Sequence, residues 1–188
     1  MRQLFINFSG ILFISLLSVN NSFSNECMLN KGFGFGFQVS QNQNDFGLGL
    51  NFNFPYFFDN TAAIRLRGNF MFYEHAYEGK TVWTDYRNIS LGLFGVLGKV
   101  GDNIRLSGEL GGIVLFPSEV FSTNRRHIGW YGLFGFEFYI NNAINYFIEI
   151  GGMDTGAKAD LLPLSPIHSN GFLINAGIRI SVKQMTNN

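Results

Sequence analysis

The chain has 188 residues, and its 13 Lys+Arg balance 13 Asp+Glu. Only 14% of it is charged, against about a quarter of an ordinary soluble domain. This length suits one domain. With 22 Phe and 23 Gly, the composition excludes a disordered chain and lacks the basic footprint a nucleic-acid partner needs.

Met1–Ser24 reads as a secretory signal. Arg2 supplies the positive start, Leu4 to Val19 is mostly apolar, and Ser22 and Ser24 are the small residues before a cut at Asn25. Residues 25–188 are then a single domain. The apolar stretch is interrupted by Asn7, Ser9, Ser15 and Ser18, so it falls short of the roughly 20 residues a spanning helix needs. Cys27 is the only cysteine and forms no internal disulfide. A lipid-modified Cys27 is the functional alternative, but Glu26 stands where a lipoprotein signal wants a small residue; a free thiol is expected. No later run reaches 18 apolar residues, which leaves a soluble secreted protein or a β-barrel.

From Lys31 onward the dominant period is two, the strand period. Phe33, Phe35, Phe37 and Val39 alternate with Gly32, Gly34, Gly36 and Gln38. Similar alternation predicts eight strands near 31–39, 45–54, 61–73, 85–98, 104–116, 127–140, 144–152 and 170–182. No 3.6-residue pattern separates them. Pro55–Asn60, Lys99–Asn103 and Asn141–Ala143 are tight turns, and most of the other connections (Ser40–Asn44, Glu74–Thr84, Pro117–Arg126, Met153–Asn170) are longer. The expected fold is all-β: an eight-stranded antiparallel up-and-down transmembrane β-barrel, short turns at one end and longer loops at the other.

Each strand has a bulky apolar face and a face of Gly, Asn, Ser and a few charges. A soluble ligand-binding barrel would carry many charges outside; here the bulky face suits lipid and the small residues suit a cramped lumen. Arg65, Arg67, Arg105, Arg179, Glu109, Glu137 and Glu149 all share the small-residue phase. Strand order makes Arg105 and Glu137 neighbours, and likewise Glu149 and Arg179. This predicts a buried ion-pair network plugging the lumen, the rival being a proton or ion path through the same charges. Aromatic girdles are expected at both rims: Tyr56, Phe57, Phe58, Tyr139 and Tyr146 at the periplasmic one, and Phe72, Tyr73, Trp83, Tyr86, Phe116, Trp130 and Phe172 at the other.

On this alternation, these loops and the closing strand Gly171-Phe172-Leu173-Ile174-Asn175-Ala176-Gly177-Ile178-Arg179-Ile180, residues 31–182 resemble the small eight-stranded outer-membrane barrels, the OmpA/OmpX-like group of Gram-negative bacteria. The resemblance implies insertion by the barrel-assembly machinery and residence among outer-membrane lipid and lipopolysaccharide. Roles in such families range over adhesion, envelope integrity, resistance and lipid enzymology, so it names no extracellular partner.

Chemistry-bearing patterns are sparse. Lipid A deacylase barrels carry a His-x-Ser-Asn motif with a downstream acid. His168-Ser169-Asn170 lacks the spacer, and no Asp or Glu follows it. As adjacent strand residues, His168 and Ser169 are expected to point apart. His75, His127 and His168 all fall at the loop end but in separate segments, so no metal site is expected. Arg125-Arg126 offers a bidentate contact to lipopolysaccharide phosphate. The Gly32–Gly36 run lacks the helix and Lys of a phosphate loop. The reading is a non-enzymatic barrel with no cofactor, acting structurally or through its loops. The alternatives are an outer-membrane lipid-modifying hydrolase and a soluble secreted ligand-binding barrel.

Overall fold

Alternating bulky and small residues sort onto two faces, and only a closed sheet keeps one face inside throughout. The computed structural model describes residues 32–43, 45–77, 79–101, 103–141 and 143–182; the signal segment and Cys27 lie outside them. Eight strands follow in order: β1 (Gly34–Asn42), β2 (Asp45–Asn53), β3 (Ala62–Tyr77), β4 (Lys80–Val100), β5 (Ile104–Phe116), β6 (His127–Tyr139), β7 (Ile144–Asp154) and β8 (Gly171–Ser181). Every neighbour is antiparallel. β1 pairs with β8 from Gly34↔Ser181 to Asn42↔Leu173, which closes the ring.

The two faces are cleanly divided. Phe35, Leu50, Leu91, Leu110, Phe134, Ile148 and Ile180 point outward and are each about half exposed. Gln38, Asn51, Arg65, Ser107, Glu137, Asn145 and Asn175 point inward and are buried. An apolar outside around a polar inside is the membrane arrangement, opposite to that of a soluble ligand-binding barrel.

Some inward glycines make room for large neighbours. A Cβ on Gly177 would lie 2.1 Å from the Phe37 carbonyl oxygen and 2.7 Å from the Phe147 ring. A Cβ on Gly92 would lie 2.4 Å from the Tyr131 hydroxyl.

Two connections differ from the sequence expectation. Glu74–Thr84 is no loop, because β3 and β4 stay paired from Glu74↔Trp83 to Tyr77↔Lys80. The period is obscured there by Glu74, His75, Thr81 and Thr84, on a ribbon that extends past the apolar band and has no reason to keep a greasy face. The first connection is also tight, since Asn42 pairs with Asp45 and Gln43 takes a left-handed φ of 45°. Two long segments remain at that end, 117–126 and 155–170.

Candidate functional site

The lumen contains two layers. In the layer nearer the chain termini, the structure brings the seven predicted lumen charges together. Arg65 donates from Nη1 to Glu109 Oε2 at 2.8 Å and Glu149 Oε1 at 2.7 Å, and from Nε to Asn53 Oδ1 at 2.6 Å. Arg67 donates to Glu149 Oε2 at 2.7 Å and Gln38 Oε1 at 3.0 Å, and it also grips Glu109. Arg105 stands directly opposite Glu137 in the β5–β6 ladder. Its Nε lies 2.6 Å from Glu137 Oε2, and its Nη2 donates to the Tyr56 hydroxyl at 2.7 Å. The Tyr131 hydroxyl donates to Glu109 at 2.6 Å.

Arg179 corrects one pairing. Glu149 faces Asn175 across the ladder and Arg179 faces Asn145, so Arg179 reaches Glu149 only at 3.6 Å. Its close partner is Glu137, two strands away. Adjacent strands do not imply adjacent residues; register decides. Arg65 and Arg179 also lie 4.0 Å and 4.4 Å over the rings of Phe94 and Phe147, which shield the guanidinium faces. Charges this deep are tolerable only when paired and hydrogen-bonded on most sides.

Four of the expected girdle residues belong inside. Tyr73 and Tyr86 are buried, in the inward phase of Met71 and Asn88. Tyr56 and Tyr139 close the lower end with hydroxyls on Arg105 and Glu137. Their hydroxyls find polar partners in the lumen that lipid does not offer. Phe57, Phe58 and Tyr146 at one rim, and Trp83, Phe116, Trp130 and Phe172 at the other, do face outward and are exposed.

The layer nearer the long loops is an aromatic and aliphatic plug that the sequence reading missed. Its core includes Met71, Tyr73, Tyr86, Ile113, Leu115, Phe121, Met153, Leu162 and Leu173. The signal was present in β5, whose inward phase runs Arg105, Ser107, Glu109, Gly111 and then Ile113 and Leu115. Between the two layers lies a cavity of about 20 Å³ bordered by Arg67, Asn69, Asn88 and Asn175. It has room for a water molecule but not for a solute.

The long segments form a cap over this plug. Phe121 is fully buried, 5.0 Å from the His168 ring and 5.4 Å from the Tyr73 ring. Leu161 N donates to Phe121 O at 3.1 Å. Asp160 accepts from Ser122 Oγ at 2.8 Å, from Thr123 N at 3.0 Å and from the Thr123 hydroxyl. These hydrogen bonds, that from Thr123 Oγ1 foremost, hold the Asp160 carboxyl down to a pKa of about 2.

A second cluster ties the cap to the barrel. Ser169 N donates to Asp45 Oδ2 at 2.9 Å, and the Tyr86 hydroxyl donates to the same oxygen at 2.7 Å. Ser169 Oγ lies 2.5 Å from the Tyr86 hydroxyl and 3.1 Å from His168 Nδ1. His168 and Ser169 therefore do meet, contrary to the strand argument, because Ser169 sits before β8 with a left-handed φ of 51°. The cluster is not a catalytic triad. Asp45 contacts the serine rather than orienting the imidazole, whose Nε2 has no partner. Burial, with His127 nearby, lowers the His168 pKa to about 4.

His75 pairs with Thr84 Oγ1 at 2.8 Å. Among the described residues no group of His, Cys, Asp and Glu is arranged to hold a metal. Arg125 and Arg126 are exposed on the cap, away from the lumen network, and make no ion pair among the described residues.

No protein-family model matches the chain, and no curated protein does. Solved structures do. The N-terminal β-barrel domain of Pseudomonas aeruginosa OprF superposes with a TM-score of 0.54 at 10% identity, covering 82% of this chain and 98% of that one. The outer membrane protein OprG of the same organism superposes at 0.52 with 13% identity, covering 84% and 99%. At such identities the likeness is one of fold. The chain has the fold of the small eight-stranded outer-membrane β-barrels, and its apolar exterior on that fold is suited to a membrane.

Proposed function

We propose that the protein is a non-enzymatic outer-membrane barrel with a blocked lumen, acting through the surface of its capped end. The observation that carries this reading is the double filling of the lumen, by ion pairs in one layer and an aromatic plug in the other. An eight-stranded interior is only wide enough for side chains, and here side chains occupy it. The cap is correspondingly rigid. It is stapled to itself through Asp160 and to the barrel through Ser169.

Chemistry for outside contact is concentrated on that cap. Val120, Leu161, Leu164 and Ile167 are exposed there. Leu164 and Ser165 hold left-handed φ values of 66° and 43° at the tip, which fixes the apolar side chain outward. Exposed Arg125 and Arg126 would offer lipopolysaccharide phosphates a bidentate contact, and insertion would be the work of the barrel-assembly machinery.

The test is complementation of a deletion strain with two barrels. One is intact; in the other, 117–126 and 155–170 are replaced by short Asn-Gly turns. The reading expects both to reach the outer membrane and only the intact one to restore the envelope or adhesion phenotype. Full restoration by the loop-free barrel would place the function in the barrel wall and overturn it.

A further inference from the structure

All three histidines of this chain carry a buried ring nitrogen with no hydrogen-bond partner: His75 Nδ1, His127 Nε2 and His168 Nε2. All three lie at the capped end, in otherwise separate parts of the chain. His168 is the most enclosed, with 2% of its surface exposed. Its ring is packed by Phe121 of the cap at 5.0 Å and by Tyr73 and Tyr86 of the wall at 5.4 Å each. Its backbone N donates to Ala157 O at 3.0 Å. The imidazole thus joins cap to wall and is held there in its neutral form.

We propose that the cap is an acid-released lid and that His168 is its latch. An imidazolium at this position would need a partner for Nε2, and the structure offers none. It would also need a replacement for water on its apolar sides, where Phe121 stands. Relief comes from moving the ring outward, and Phe121 and the 155–170 segment must move with it. Burial already disfavours the charged form.

The surrounding groups set the direction. Asp45 from β2 is the carboxylate of this cluster, and its Oδ2 already accepts from Ser169 and Tyr86. Tyr73 and His75 face the site from β3, Tyr86 from β4 and His127 from the start of β6. Asp160, the staple within the cap, is held ionised by Thr123 and Ser122 over the same range, so the two loops remain joined and leave together.

The test is amide hydrogen exchange of the full-length protein in detergent micelles at pH 7.5 and pH 4.5, corrected for intrinsic exchange rates. The proposal expects protection of segments 117–126 and 155–170 to fall by about tenfold or more at the lower pH, while strand amides stay protected. In His168→Gln the response should disappear with the cap still protected at both values. His168→Phe serves if that variant folds poorly. Unchanged or increased protection in the wild type at pH 4.5 overturns the proposal. So does a full pH response surviving in both variants, which would assign the effect to Asp45, His75 or His127.

Discussion

Arg67 on β3 and Glu149 on β7 are 82 positions apart and four strands apart around the ring, yet they meet at 2.7 Å across the barrel axis. With Arg65 and Glu109 they form a bridge between opposite walls. In the layer nearer the chain termini, such contacts fill the interior. The bridge therefore serves where a soluble domain would use packed aliphatic residues.

Removing one end of that bridge leaves charge behind. Glu149→Gln should destabilise the folded barrel by about 3–5 kcal/mol, the usual cost of an orphaned buried partner. Urea titration read by gel mobility of the unboiled protein measures it. Arg67→Met combined with Glu149→Gln should recover part of the loss, because the stranded guanidinium is then gone.

Interior and exterior glycines should respond oppositely. Gly177→Ala places a methyl 2.1 Å from the Phe37 carbonyl oxygen, and overpacking of that kind costs about 1–3 kcal/mol. Gly68→Ala points outward into open space, with nothing within 4 Å, and should be close to neutral. The same urea titration compares them. Equal effects would mean the two faces are assigned wrongly.

The sequence revealed the strand number, the inside-outside division and the phase of the seven charges in the ion-pair network, though not of Asp45, because a period of two is a local signal repeated along each strand. It did not reveal which charges meet. Arg179 pairs more closely with Glu137 than with Glu149 on the adjoining strand, and that depends on register and on reach across the lumen. Tyr73 and Tyr86 were misplaced for a different reason: aromatic residues near a rim suit either face until a partner such as Asp45 is located. The Ser169 cluster was hidden because the left-handed φ at that residue broke the strand rule used to exclude it.

Two cap groups should titrate in separate windows. His168 has its pKa lowered from 6.5 to about 4. A base lowered on folding contributes stability that is complete above its ordinary value and is lost as pH falls from 6.5 toward 4. The loss is at most about 3 kcal/mol. Asp160, lowered from 3.8 to about 2, contributes fully above 3.8 and loses its contribution only below that. Asp160→Asn should therefore weaken the cap by a similar amount throughout pH 6.5 to 4.5 and leave the pH dependence of its protection unchanged. Hydrogen exchange of 155–170 across this range checks both statements.

A filled lumen should not conduct. Purified protein in a planar bilayer should show no discrete current steps at neutral pH, since the cavity between the two layers holds only about 20 Å³. Stable unitary conductance in the intact protein would show that the charged layer is a path rather than a plug.

The most direct measurement of the central claim, an apolar outside around a charged inside, is gel mobility of the washed outer-membrane fraction with and without boiling. The account predicts a band that needs detergent for extraction and migrates differently when unboiled, as a folded membrane barrel does. A band released into the soluble periplasmic fraction, with mobility unchanged by boiling, would contradict it.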